Sequence, residues 1–389
     1  MKVTYFLRCL AMMRGGGETQ HLAWIEALIK MGIEIDIITG RPLFQAPLHP
    51  VDGIPTTVVR SPYVRDIVYK VQGRRVIGRL GSLALHADEE VFCWLAWLNI
   101  ASRRQKPDLV LAHALHQAHR LRTVDVPVAV YLPGPPHRRY LHDLRLTDGL
   151  ISDGWAAKHL PEMIGRPVDD VLKGVDTDLF NPSGSHQRAG PDLAGKRVVL
   201  CVTRLVPIKN LPLLLDAIAE IRRQCPDVVL ILVGEGPQQP LLESRARELG
   251  IGDAVKFVGY VTQQDTAAWY RSADVFALVS DFDNSPNVVL EAMAAGLPVV
   301  ATDVGGLRDY IEPPRNGLLV AKGSRAELVA ALSLFLTDPR RARDTGLANR
   351  QDALAKFSWS ASACRMLAVY ERIVAVHRRQ TRQPLPATA

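Results

Sequence analysis

Short apolar runs rich in valine and isoleucine alternate with helical segments along almost the whole chain. Val3–Leu7 reads as a first strand, Thr19–Met31 as a helix and Ile33–Ile38 as a second strand, with Leu109–His113 and Val126–Leu132 as later strands of the first half. The second half keeps a cleaner rhythm. Strands at Arg197–Val202, Val228–Val233, Val255–Val258, Val275–Val279 and Pro298–Thr302 are spaced by helices at Leu211–Gln224, Leu241–Leu249, Thr266–Ser272 and Val288–Ala295. Strands that are apolar throughout, rather than every second residue, are buried on both faces, which predicts parallel sheets covered by helices on each side. The polar Gly/Pro/Ser stretch Asn181–Pro191 reads as a linker. The pattern therefore predicts an α/β protein of two doubly wound domains, residues 1–180 and 181–389, with the linker at about 181–195.

Length and composition agree. A chain of 389 residues with 48% apolar and 22% charged side chains has room for two cores. No run approaches the roughly 18–20 apolar residues of a membrane-spanning helix, and the opening Met1–Arg8 reads as a strand rather than a signal peptide. The cysteines at 9, 93, 201, 225 and 364 are dispersed, with no CxxC pair, so neither a disulfide framework nor a zinc site is expected, and a cytoplasmic setting is. Net charge is +7, but residues 1–180 contribute 22 Lys and Arg against 19 Asp and Glu, leaving 25 against 21 for the remainder. So even a division argues against a nucleic-acid partner. One basic cluster stands apart: Arg60, Arg65, Lys70, Arg74, Arg75 and Arg79, opposed by Asp66 and followed by the apolar run Val91–Leu98 with Trp94 and Trp97. It reads either as a solvated helix face beside a core helix or as a face for peripheral contact with an anionic membrane.

In doubly wound sheets the loops after the strands carry ligands. After the first strand, Arg14-Gly15-Gly16-Gly17-Glu18-Thr19 leads into a helix, where glycines let backbone N–H groups approach an anion. This is neither GxGxxG nor a P-loop. Arg204 and Lys209, five residues apart after a strand, can reach one diphosphate. In Asp281–Gly296, Ser285 suits an N-cap, Pro286 the first helical position and Gly296 the C-terminal stop. Asp283 then faces a helix N-terminus and Glu291 lies within that helix. Asp281-Phe282-Asp283 also spells DxD, a metal–nucleotide signature elsewhere, but here it overlaps the helix entry and no metal site is expected.

Taken together these residues resemble the retaining nucleotide-sugar glycosyltransferases of family 4 (group 1), which have the two-domain GT-B fold. Gly15-Gly16-Gly17-Glu18 is similar to the family's GGxE loop, and Gly174-Val175-Asp176 with Phe180 to its GVDxxxF hinge segment. Arg204 and Lys209 match RLxxxKG, with Asn210 in place of the glycine. Val233–Pro237 and Phe257–Gly259 match nucleotide-loop motifs, Asp283 through Glu291 is similar to E-x7-E, and Gly305-Gly306 with Asn316-Gly317 completes the order.

The resemblance implies two Rossmann-like domains facing a cleft, with a last helix at about 359–379 packing across them. It implies that Arg204 and Lys209 bind the donor diphosphate, Glu291 the ribose and Asp283 the transferred sugar. Backbone at Gly16 and Gly17, and around Asn284, Ser285 and Asn287, would contact phosphate or sugar, and Gly259, Tyr260 and Val261 would border the base. The expected reaction moves a sugar from a nucleoside diphosphate to an acceptor hydroxyl, forming an α-linkage, with no cofactor and no metal. Two departures stand out: Asp283 replaces the usual Glu, and Pro133 stands where many relatives carry a His. His137 is a candidate replacement, and His113, matching the second His of an HxH, a candidate acceptor-side group. His113, His116 and His119 read as a solvated surface rather than a metal site. For the acceptor, a glycolipid or polysaccharide is favoured by the basic cluster and tryptophans. A soluble aminocyclitol-like molecule is the alternative, with Asp88-Glu89-Glu90 to hold a cationic group. A nucleotide-sugar epimerase or a non-catalytic binder on the same fold is the remaining reading.

Overall fold

The computed structural model describes residues 1–11, 16–42, 51, 53–61, 75–115, 123–183 and 193–382. Two compact units divide the chain, one of Met1–Val171 with the residues from Ser362 onward, the other of Leu172–Ala361. The change of unit at Val171/Leu172 comes before residue 180, because Val175 and Phe180 are buried in the core of the second unit.

The first unit holds strands β1 (Lys2–Phe6), β2 (Glu34–Pro42), β3 (Thr56–Ser61), β4 (Leu109–His113), β5 (Val128–Tyr131), β6 (Gly149–Ser152) and β7 (Asp169–Asp170). They lie in the order β3-β2-β1-β4-β5-β6-β7, and each neighbouring pair is parallel. The helices are α1 (Gly16–Lys30), α2 (Arg75–Ser102), α3 (Leu141–Arg145) and α4 (Gly154–Ile164). Phe6, Ile38, Phe92, Ala96, Ile100, Val110 and Leu160 share one core. α1 begins three residues earlier than the apolar pattern suggests, so Gly16 and Gly17 lie in its first turn, not in the loop before it. On α2, Phe92, Cys93, Ala96 and Ile100 are buried while Val91, Trp94 and Leu98 are exposed. The apolar run thus serves the core on one stripe and faces outward on another. In the basic cluster Arg60 is exposed on β3, whereas Arg65, Asp66, Lys70, Arg74 and the side chains of Arg75 and Arg79 lie outside the described residues.

The second unit holds β8 (Arg197–Val202), β9 (Val228–Val233), β10 (Val255–Gly259), β11 (Val275–Leu278), β12 (Val299–Thr302) and β13 (Gly317–Val320), with α5 (Leu211–Arg222), α6 (Gln239–Glu248), α7 (Gln263–Ser272), α8 (Asn287–Ala294), α9 (Arg325–Thr337) and α10 (Pro339–Lys356). The strand order is β10-β9-β8-β11-β12-β13, again all parallel. Successive side chains of β8 point to opposite faces, as the two-residue period requires, and both faces are buried. Val199 and Cys201 of β8 enter a core with Leu214, Leu242 and Phe335. Val198 and Leu200 enter the core on the opposite face, with Val289 and Met293.

A last helix, α11 (Trp359–Arg382), starts in the second unit and from Ser362 belongs to the first. There Trp24 Nε1 donates to Ser362 Oγ at 2.7 Å, and the Tyr5 and Tyr370 hydroxyls lie 2.8 Å apart. The two segments at which the chain changes unit meet within the second unit. Val175 N–H donates to Phe357 O at 2.7 Å, and a Cβ on Gly174 would lie 2.4 Å from the Trp359 indole and 2.8 Å from its Cα. Overpacking of this kind costs about 1–3 kcal/mol. Gly174→Val should therefore shift the urea midpoint of the second unit downward by an amount worth about 2 kcal/mol, with little change in m.

Candidate active site

Strand order reverses between β8 and β11, and ligands of doubly wound sheets bind where the loops after such strands part. The loop after β8 ends in a 3-10 turn, Pro207–Lys209, and then Asn210 in the left-handed region at φ 47°. The loop after β11 runs from Val279 to Pro286 and enters α8. The two loops are tied together. Asp281 N–H donates to Ile208 O at 2.8 Å, Asn210 Nδ2 donates to Asp281 Oδ1 at 3.1 Å, and Lys209 Nζ pairs with Asp283 Oδ1 at 2.7 Å. The ion pair is largely buried, its side chains 12% and 13% exposed. Asp283 Oδ2 is buried with no hydrogen-bond partner among the described residues. The backbone of Asp283 is gripped as well: Gly306 N–H donates to its carbonyl at 3.1 Å. Gly305, at φ 57°, lies so close that a Cβ would come within 1.7 Å of that oxygen. Only glycine fits there.

Ser285 does not cap α8. Its hydroxyl bonds the buried Tyr310 hydroxyl, its carbonyl accepts from Lys173 Nζ at 3.2 Å, and Pro286 takes the N-cap position. No side chain caps the helix, and Asn287 Oδ1, in the first turn, is buried without a partner among the described residues. An uncapped N-terminus with free N–H groups favours an anion. Glu291 lies one turn along, where Tyr270 hydroxyl donates to its Oε2 at 2.9 Å. Burial pushes the Glu291 carboxyl up to about 7, opposed by the Tyr270 hydrogen bond. Burial and the nearby Glu291 charge in turn push the Tyr270 hydroxyl well above its ordinary range.

Arg204 is exposed on the loop after β8. That loop is braced by the loop after β9: Leu205 N–H donates to Glu235 O at 2.9 Å, and Gln238 N–H to Leu205 O at 3.0 Å. Gly234 and Gly236 admit this approach, since Cβ atoms there would lie 2.0 Å from Thr203 O and 2.3 Å from Leu205 O. Gly234 N–H also bonds Gly259 O at 2.9 Å. Gly259 has φ 79°, the Tyr260 ring is 75% exposed, and Val261 packs partly into the core. The structure thus brings Arg204, Lys209, Asp283, Asn284, Ser285, Asn287 and Glu291 to the carboxyl end of the second sheet, with Gly259–Val261 at the end of β10.

The remaining candidates, Gly16, Gly17, His113 and His137, belong to the first unit. Strand order reverses there between β1 and β4, and His113 ends β4. Its Nδ1 lies 2.7 Å from Nε2 of the buried His21, and its ring stacks on Tyr131 with centroids 5.7 Å apart. His137 stands after β5 in the same unit. It is exposed, and its Nδ1 accepts from Arg139 N–H at 3.3 Å to cap a short 3-10 turn. Asp88 is spent: it is buried against Arg8 Nη1 at 3.1 Å, so it does not present a carboxylate for a cationic acceptor. His116 and His119 lie outside the described residues. Among the described residues no group of three or more His, Cys, Asp or Glu is arranged to hold a metal ion.

Sequence reasoning missed Tyr270, Tyr310, Lys173 and His21, which hold Glu291, Ser285 and His113 in place. Their signal lies in contacts between residues far apart in sequence. Only Lys173, adjacent to the Gly174-Val175-Asp176 motif, is marked by its neighbours.

Comparison with known proteins identifies the family and the fold. Residues 186–352 match the family described as Glycosyl transferases group 1. The chain is 31% identical over 396 residues to D-inositol 3-phosphate glycosyltransferase 2 of Catenulispora acidiphila, covering 92% of this chain and 90% of that one. It is 34% identical over 209 residues to the GDP-mannose-dependent alpha-(1-6)-phosphatidylinositol monomannoside mannosyltransferase of Mycolicibacterium smegmatis, a match spanning about half of each protein (51% and 55%). Anabaena HepE, crystallised in complex with UDP, shares the fold with a TM-score of 0.73 at 20% identity, over 96% of this chain and 100% of that one. Two parallel α/β units of this order are of the GT-B type, and the chain belongs to the group 1 glycosyl transferases.

Proposed function

We propose that this glycosyltransferase moves a sugar from a nucleoside diphosphate to an acceptor hydroxyl with retention, leaving an α-glycosidic bond. The observation that carries the reading is the Lys209–Asp283 pair beside the uncapped N-terminus of α8, with Glu291 one turn along. In this reading the bond from the anomeric carbon to the diphosphate oxygen breaks, the acceptor oxygen bonds that carbon, and the acceptor proton leaves with the diphosphate. Arg204, Lys209 and the α8 N–H groups meet the negative charge as it develops on the departing diphosphate. Neither a metal nor another cofactor is required. Asp283 and the amide of Asn287 orient the sugar hydroxyls, Glu291 accepts from the ribose, and the backbone at Gly259–Val261 borders the base. In the first unit the first-turn N–H groups at Gly16 and Gly17 suit an oxyanion, and His113, held by His21, suits the acceptor hydroxyl.

For the acceptor we favour a glycolipid or polysaccharide. The mannosyltransferase relative is named for a phosphatidylinositol mannoside. Val91, Trp94 and Leu98, three and four residues apart on α2, form an exposed apolar stripe suited to peripheral membrane contact. A soluble cyclitol acceptor is the second reading, favoured because the relative matched over nearly the whole chain is named for D-inositol 3-phosphate. Anionic phospholipid vesicles should sediment the protein at low salt and release it at high salt. Absence of binding at low salt would leave the soluble acceptor.

The donor is tested by thermal shift with UDP-, GDP-, ADP- and dTDP-sugars. A ligand at 100 times its Kd adds about 2.7 kcal/mol, and one nucleotide should stand out with and without Mg²⁺. A panel with no shift from any donor would remove this reading.

Arg204 and Lys209 should separate function from stability. Arg204→Ala should lower kcat/KM for the donor about 100-fold while moving unfolding free energy by less than about 0.5 kcal/mol, since the side chain is exposed. Lys209→Ala should lower it at least as far and also destabilise by about 1–2 kcal/mol, because Asp283 is left without its counter-charge.

Glu291 supplies a pH signature. Its folded pKa of about 7 exceeds the ordinary 4.5, so between these values the folded chain binds more protons than the unfolded one. Stability from this group is therefore lost as pH rises from 4.5 through about 7. Relative to Glu291→Gln, the wild type should lose about 3 kcal/mol between pH 4.5 and 8, read from urea unfolding at each pH.

A further inference from the structure

We propose that binding of the donor releases a proton from Glu291. In the free chain this carboxyl is a neutral acid, and it ionises when the vicinal hydroxyls of a ribose reach it. This inference rests on the donor-site reading above.

The proton count around Tyr270 favours the neutral form. Tyr270 is buried, and its oxygen makes two contacts, 2.9 Å to Glu291 Oε2 and 3.1 Å to Val288 O. If Glu291 is ionised, both neighbours are acceptors and the hydroxyl has a single proton to give. One contact is then left without a hydrogen. Among the described residues Tyr270 is also the only donor to this carboxyl, and nothing donates to Oε1. With a proton on Glu291, its O–H donates to the Tyr270 oxygen and the Tyr270 hydroxyl donates to Val288 O. Both contacts are then hydrogen bonds. The bond between the two side chains thus runs from tyrosine in the ionised state and from glutamic acid in the neutral one. Burial, which pushes this carboxyl up to about 7, acts in the same direction.

The neighbouring charges are engaged elsewhere. Strands β11 and β12, packed against α8, carry no titratable side chain. Cys201 of β8 lies within electrostatic reach of Tyr270, but burial pushes its thiol up to about 12 and keeps it neutral. Lys209 is paired with Asp283, while the Tyr310 hydroxyl and Lys173 Nζ are taken by Ser285. Arg271 of α7 donates to the Leu179 carbonyl. On α10, Arg350 donates to backbone carbonyls and Asp352 pairs with Arg315. Arg204 is exposed and, among the described residues, pairs with no carboxylate.

A ribose changes the balance. Its two hydroxyls are donors, Oε1 is available to them, and bonds to a carboxylate are about twice as strong as neutral ones. The ligand therefore favours the ionised form. The O–H bond of the acid breaks, its electron pair stays on the carboxylate, and the proton passes to solvent. By linkage the donor binds more tightly as pH rises through neutrality.

The test is titration calorimetry with the nucleotide sugar that the thermal-shift panel selects. Its diphosphate is esterified at both ends and has no group titrating near neutrality. Heats in buffers of different ionisation enthalpy count the protons. At pH 6 the wild type should release about 0.9 proton per donor bound and at pH 8 about 0.1, with a Kd about 10-fold weaker at the lower pH. Glu291→Gln should release none, and its Kd should differ less than about 2-fold between the two. A donor built on 2′,3′-dideoxyribose should likewise release none from the wild type. Binding at the lower pH without proton release, or release that persists in Glu291→Gln, would overturn the inference and leave the donor reading standing.

A second arm uses no ligand. In wild type labelled with ¹³C at glutamate Cδ, the resonance missing from Glu291→Gln should titrate at about pH 7. A resonance already ionised at about pH 5.5 would overturn the neutral state. If no nucleotide sugar binds, the donor reading fails and the release with it, while this titration still decides the state of Glu291.

Discussion

Parallel strands cannot be joined by tight turns, because each must return to the same edge of the sheet before it begins. The return path is a helix, and helices on both faces exclude water from the sheet. That one constraint arranges the rest of the second unit. Both faces of β8 are given to hydrophobic cores, Val199 and Cys201 on one side and Val198 and Leu200 on the other. Polar chemistry is left to the strand ends. Between β8 and β11 the winding reverses, and their outgoing loops turn to opposite faces, leaving a gap at the carboxyl edge. The cation of one loop and the acid of the other meet there, tied by backbone and side-chain bonds.

The charges at that edge are held in different states of readiness. Lys209 and Asp283 neutralise each other, so a largely buried lysine carries its counter-ion with it and the desolvation cost of each is offset. Arg204 is exposed and keeps its hydration. Glu291 is pushed toward the neutral acid by burial, with Tyr270 donating to it. Under the proposed donor reading, a diphosphate at this edge would meet one exposed cation, one shared cation and the N-terminus of a helix, rather than a cluster of like charges that would strain the empty fold.

Much of this was legible in the residues, for reasons that differ between the halves. Strands buried on both faces read as unbroken apolar runs, so β8, β9, β11 and β12 stand out. Helices α3, α4, α9 and α10 did not enter the reading, nor did strands β3, β6, β7 and β13. The loops announced their chemistry through glycines and charges, but not how those groups are divided among tasks. Ser285 has every local mark of an N-cap, yet its hydroxyl is drawn to Tyr310, which lies 25 residues on and is brought to it by tertiary packing. Asp88 looked available for an acceptor, yet it is buried against Arg8. Local sequence can show what a side chain is able to do, whereas its assignment depends on which distant partner reaches it first.

The segment Lys173–Phe180 shows how a motif that reads as a connector takes part in the site. Gly174 is required because the Trp359 indole occupies the place of a side chain, and Val175 pairs through its backbone with Phe357. The Asp176 carboxylate accepts from the N–H groups of Asp178 and Leu179, which turns the chain. That turn delivers Phe180 edge-on to Tyr270, with ring centroids 5.5 Å apart at 89°. Tyr270 is the residue that donates to Glu291, while Lys173, at the other end of the segment, donates to the carbonyl of Ser285. Arg350 fixes the same stretch by donating to the carbonyls of Thr177 and Phe180, and also to that of Ala294 at the end of α8. The start of α8, Glu291 in its second turn and its last residue are thus all referred to the eight residues through which the chain has just entered this unit. A substitution in that segment acts on the loop after β11 and on α8 from a distance, because the positions of Ser285 and Glu291 are measured from it.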